Sequence, residues 1–174
     1  MISSGGRPLR SSSNTRGRNI GALLAQTPPS ALQGDGTPMP SVFHIHYAAT
    51  WALVGLIWTI QIIHYPLFAQ VGREQFISYH QQHTRLITLV VGPLMLAELG
   101  TAVLLVLTGT RDPWFLASLP LLASIWISTW MVQIPLHNTL ANGFDAKAHH
   151  RLVTTNWWRT AAWSARGICI MMMA

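Results

Sequence analysis

Four of the eight histidines in this 174-residue chain stand beside other polar residues at helical spacing. Gln61 precedes His64 by three positions, His80 precedes His83 by three, Gln133 precedes His137 by four, and Asn156 precedes Arg159 by three. Residues three or four apart share one helix face, so each pair is a coherent polar face. Neutral imidazole is a ligand for zinc, copper and iron, haem iron included. His64, His80, His83 and His137 could hold a metal ion. His64 and His137 could also take the axial positions of a haem, with Arg85 and Arg159 gripping propionates or another anion through charge-assisted bonds. A quinone, or another lipophilic substrate with a polar head, could use the same donors. Glu74 and Asp145 fall in expected loops, which counts against a di-iron carboxylate site built from glutamates on facing helices. The same side chains could instead bond helix to helix, each such bond contributing about 0.6 kcal/mol on average.

These pairs must be positioned by apolar segments. The chain is 50% hydrophobic and 9% charged, against about 25% charged residues in a soluble domain. One segment covers 42–64, where Pro66 is expected to stop it. A second covers 76–107, with Gly92-Pro93 expected to kink it. A third opens at Pro113 behind Asp112 as N-cap, runs to about residue 140, and ends at Asn142-Gly143. A fourth runs from Thr154 or Thr155 to the C-terminus. Each suffices for the ~20 residues of a helical span, and short loops make consecutive helices antiparallel neighbours. The expected fold is all-α, a four-helix transmembrane bundle over 41–174. Residues 1–40, rich in Ser, Gly, Arg and Pro, read as a disordered tail. That tail is either a flexible extension or lies upstream of a start at Met39. In such a bundle all four polar faces gather at the end that holds loops 65–75 and 141–153, here termed the lower end.

The net charge of +6 does not point to nucleic acid: Arg7, Arg10, Arg16 and Arg18 lie in the tail, and no basic stripe alternates with aromatics. The single Cys169 excludes an internal disulfide and a cysteine zinc site. Arg73, Arg85, Lys147, Arg151 and Arg159 lie near the lower end and Arg111 near the other. The positive-inside rule then places the lower end in the cytoplasm, with both termini outside; a genuine tail that stays inside would invert this orientation. Tryptophans near span ends, such as Trp114 and Trp157, read as interfacial anchors. Glu98 and Arg166 lie well inside spans, where a lone charge costs several kcal/mol. They are expected to pair, Glu98 as a proton-relay group being the alternative. His44 and His46 belong to the opposite end, and H-x-H on a helix points its two rings to different faces. His149 and His150 are expected in an aqueous loop, and Met171–Met173 against lipid or in packing.

Gln133-Ile-Pro-Leu-His137, Asn156-Trp-Trp-Arg159-Thr and Trp163-Ser-Ala-Arg166 together resemble the third-to-fourth-helix pattern of small bacterial four-span proteins related to anthrone oxygenases. His137 stands where that pattern more often has Asn. Phe43-His44-Ile, Trp51 to Gly55, Tyr65-Pro66-Leu67-Phe68, and Arg85-Leu86 before Gly92-Pro93-Leu94-Met95 are similar to two further families, the small membrane protoporphyrinogen oxidases and the copper-resistance D-type proteins. The first of these implies haem, with His44 at the associated position. The expectation is a redox or cofactor-binding membrane protein whose site comprises His64, His80, His83, His137, Gln133, Asn156 and Arg159. Its partners would be membrane lipid and a small lipophilic substrate. The alternative is a non-catalytic accessory subunit of a larger membrane complex.

Overall fold

The computed structural model describes Met1 and residues 40–173. The expected tail and the start at Met39 lie outside the described residues. Among those described, every regular element is helical. Four rods form. The first, α1, is α-helical over Pro40–Thr59, widens into a π-helical turn over Ile60–His64, and continues through Tyr65–Leu67 to a 3-10 turn at Phe68–Gln70. Next, α2 covers Arg73–Leu107. Then α3 combines Pro113–Ser128, a second π-helical turn at Thr129–Gln133, and Ile134–Leu140. Last, α4 covers Ala146–Met171.

Pro66 does not stop α1, contrary to expectation. A proline inside a helix lacks an N–H, and its ring crowds the carbonyl four residues back. In α1 the turn before the proline is π-helical, so Tyr65 N–H reaches back to Ile60 O. The wider turn relieves the crowding and the rod runs on. The same device recurs before Pro135, where Ile134 N–H reaches Thr129 O. Single π turns of this kind often mark functional sites, and both lie at the lower end.

The start of α3 matches the sequence. Asp112 accepts from Trp114 N at 2.8 Å and Phe115 N at 3.0 Å. Gly143, with φ +138°, closes the turn beyond its far end. By contrast, α4 begins at Ala146 rather than at residue 154 or 155. Asp145 caps it by accepting from Ala148 N at 2.7 Å, and Ala146-Lys147-Ala148 are strong helix formers. His149 and His150 are therefore helical.

Three rods are long and apolar enough to cross a membrane: Ser41–Gln70, Arg73–Leu107 and Pro113–Leu140. The fourth, α4, carries Asn156, Arg159 and Arg166, all buried. It packs against α1 and α3, while α2 packs on α1; α2 and α3 have little contact with each other. Leu53, Ile57, Met95, Ile125 and Trp163 fill the middle of the core, and Phe68, Phe76, Leu140 and Leu152 its lower part.

Above the middle layer, one ion pair ties all four rods together. Arg166 Nε donates to Glu98 Oε1 at 3.1 Å, both side chains being fully buried. Thr50 Oγ1 and Trp163 Nε1 donate to the same carboxylate at 3.0 and 3.2 Å. Arg166 Nη1 donates to Ser118 O at 2.7 Å on α3. Arg166 Nη2 lies 3.3 Å from His46 Nε2, and His46 Nδ1 lies 2.8 Å from Thr101 Oγ1. Guanidinium only donates, and Thr101 spends its proton on Ala97 O at 2.6 Å. His46 is thus the neutral Nδ1–H tautomer. The expected Glu98–Arg166 pair is present, and His46 joins it.

Breaking a buried pair by removing one partner typically costs about 3–5 kcal/mol, whereas replacing both with apolar groups is often neutral. Glu98→Leu and Arg166→Met should each lower the unfolding temperature in detergent sharply, and the double variant should recover most of the loss. Single variants as stable as the parent would contradict this role.

Candidate functional site

The lower end is organised by a directional chain of amides. Gln61, in the first π turn, is 2% exposed, and its Nε2 donates to Val153 O at 3.2 Å. A carbonyl only accepts, so this contact fixes which end of the Gln61 amide is nitrogen. Gln61 Oε1 then accepts from Asn156 Nδ2 at 2.8 Å. Asn156 Oδ1 in turn accepts from Arg159 Nη1 at 2.9 Å. Arg159 is 6% exposed and lies over the Trp163 ring, 5.0 Å from its centroid. The i, i+3 spacing of Asn156 and Arg159 thus becomes a hydrogen bond, anchored from α1.

The second π turn delivers Gln133. Its Nε2 lies 3.1 Å from Thr155 Oγ1, and Thr155 donates its hydroxyl proton to Arg151 O at 2.7 Å. Gln133 is therefore the donor, and its buried Oε1 has no partner.

Three further groups form a line. His137 Nε2 lies 3.1 Å from Tyr65 Oη, and His137 Nδ1 lies 3.1 Å from His80 Nε2. Tyr65 also interacts with the Arg159 guanidinium. The far end of this line, His80 Nδ1, is buried and has no hydrogen-bond partner. His80 stacks on Phe76 at a centroid distance of 5.7 Å.

The four histidines do not form the single ligand set expected for a metal ion. Among the described residues, no group of three or more His, Cys, Asp or Glu side chains is placed to hold one. Two causes are visible. Both ring nitrogens of His137 are engaged by Tyr65 and His80. The fully buried Phe68 ring lies 5.7 Å from His80 and 4.9 Å from His83, separating His80 and His137 from His64 and His83. The latter two face each other at a centroid distance of 5.5 Å along a separate groove of about 330 Å³ with Tyr79 and Gln82. Axial haem ligation by His64 and His137 does not fit either, since they line different cavities and His137 has no spare nitrogen. His44 and Arg85 are exposed at the surface. His149, expected in water, is half-buried and its Nε2 lies 2.7 Å from Tyr65 O, whereas His150 is exposed.

A cleft of about 380 Å³ opens between α2 and α3, where those rods have little contact. Ile87, Val91, Leu96 and Ile134 are among its apolar walls, and Tyr65, Gln133, His137 and Arg159 are its polar floor. Leu96, Trp130 and Ile134 are exposed on the outer surface, so the cleft opens sideways. Of the expected site residues, Gln133, His137 and Arg159 meet at this floor. Asn156 supports Arg159 from behind, His80 backs His137, and His64 and His83 stand apart. Tyr65 was hidden in the sequence by Pro66, which suggested a turn rather than a continuing helix.

Compared with known proteins, the chain matches no family model, no curated protein and no solved structure.

Asn156 holds two partners at once. Asn156→Leu leaves Gln61 Oε1 and Arg159 Nη1 unpaired in a buried site, a loss of about 1–3 kcal/mol per group. Its unfolding temperature should fall well below that of exposed Asn138→Ala, which should match the parent within about 0.5 kcal/mol. Equal stability of the two variants would rule out the amide chain as an anchor.

Proposed function

We propose that this chain is an integral protein of a bacterial inner membrane, and that its four rods all cross the bilayer. In this reading the α2–α3 cleft admits a lipophilic small molecule, substrate or cofactor, from the lipid, with its polar head on the lower floor. The observation that carries the reading is the cleft's polarity gradient: apolar walls open to the outer surface and lead to the buried Tyr65, Gln133 and Arg159 and the half-buried His137. Ligand sites are commonly of this kind, apolar with a few convergent polar groups, in cavities of about 300–1,000 Å³.

The length and burial pattern of α4 support its place as a span. Its 26 residues rise about 39 Å at 1.5 Å each, more than the ~30 Å hydrocarbon core. Its Asn156, Arg159 and Arg166 are turned inward, while Trp157, Trp158, Ile168 and Met171 are exposed. The basic residues near the lower end put that end in the cytoplasm. Tyr65 and His137, both lining the cleft, offer the head group a hydroxyl and an imidazole, which suits a lipophile with a polar head.

Gly92 lines the cleft, and a Cβ there meets nothing nearer than the Thr88 methyl at 3.9 Å. Gly92→Leu should therefore fold and fill the cleft. Native mass spectrometry of the full chain should show a small-molecule adduct on the parent that Gly92→Leu lacks, with unfolding temperatures of the two alike before ligand addition. A parent that carries no adduct, and that no added lipophile stabilises, would overturn the reading.

A further inference from the structure

Three side chains that line the α2–α3 cleft each carry a buried polar atom with no hydrogen-bond partner: Arg159 Nε, Trp126 Nε1 and Gln133 Oε1. Two are donors and one is an acceptor. Arg159 and Gln133 are 6% and 3% exposed, so bulk water does not make up the deficit. The roles follow from the network itself. Gln133 must donate through Nε2, because Thr155 has given its only proton to Arg151 O. Arg159 spends Nη1 on Asn156. Arg159 also lacks a carboxylate: among the described residues the one ion pair is Arg166 with Glu98. Buried polar groups without partners each cost about 1–3 kcal/mol, and a buried cation calls for an anion.

Resting on the proposed lipophile site, we infer that the head group it takes is an anionic oxygen next to an O–H or N–H donor, as in a hydroxylated carboxylic acid. The anion accepts from Arg159 and Trp126, and the adjacent donor gives its hydrogen to Gln133 Oε1. A plain quinone offers acceptors alone and leaves Gln133 unsatisfied. A neutral ester leaves the Arg159 charge uncompensated. A fatty chain or aromatic body lies along Ile87, Val91 and Leu96.

Four probes separate these demands: β-hydroxydecanoate, decanoate, methyl β-hydroxydecanoate and a short-chain quinone, each titrated against the full chain in nanodiscs. The unaltered protein should bind β-hydroxydecanoate roughly fivefold more tightly than decanoate, and at least about tenfold more tightly than the ester or the quinone. Gln133→Leu should erase the preference for β-hydroxydecanoate over decanoate and keep the preference for the acid over the ester. Should that variant fail to fold, the probe series on the unaltered chain decides alone. Equal binding of all four, or tighter binding of the quinone, overturns the head-group assignment while the lipophile site stands. If no probe binds and no lipophile stabilises the protein, the lipophile site falls and the assignment falls with it.

Discussion

A charge buried among apolar side chains must find its counter-charge in the protein, and the Arg166–Glu98 pair shows what that demand imposes here. Arg166 comes from α4 and Glu98 from α2, yet α4 packs on α1 and α3. To give partners to the three guanidinium nitrogens and the two carboxylate oxygens, the chain recruits Thr50 and His46 from α1, Ser118 from α3 and Trp163 from α4. The rotation of every rod about its axis is thereby constrained. Once Arg166 faces inward, Arg159 and Asn156, about two and three turns back along α4, also face inward. The upper knot thus sets the face that α4 presents at the lower end.

The lower end obeys the same rule with a different result. Gln61, Asn156 and Arg159 satisfy one another in sequence from the Val153 carbonyl, and Tyr65, His137 and His80 do so in a second line. Yet Arg159 Nε and Gln133 Oε1 keep unspent capacity beside a cleft. In the upper ion pair every Arg166 nitrogen and both Glu98 oxygens have a partner, which suits a structural role. The lower floor is unsaturated, which suits recognition. The two π-helical turns, each ahead of a proline, bring Gln61 and Gln133 into this floor without ending their rods.

Much of the bundle was legible because apolar length and caps are local properties. Asp112, Pro113 and Gly143 mark the ends of α3 as anticipated. Glu98 and Arg166 could be paired from sequence because a lone charge at that depth is so costly. Gln133, His137, Asn156 and Arg159 were placed together by helical spacing and antiparallel order. Spacing says which face a side chain shares but not what it touches. It therefore could not show that Phe68 separates the histidines, or that His137 spends both nitrogens on Tyr65 and His80. Pro66 read as a stop because the π turn that accommodates it has no sequence signature. The polar first turns of α4 read as a loop because their pairing with Tyr65 comes from a distant part of the chain.

A lipophile is proposed to sit in the α2–α3 cleft with its head on the polar floor. Photolabelling of the nanodisc-embedded protein with a diazirine-bearing lipophile, followed by peptide mapping, tests this most directly. Saturable labelling confined to cleft residues such as Leu96, Trp130 and Ile134, and displaced by unlabelled lipophile, is the predicted result. Unsaturable labelling spread over exposed positions such as Ile62, Leu104 and Ile168 would contradict it.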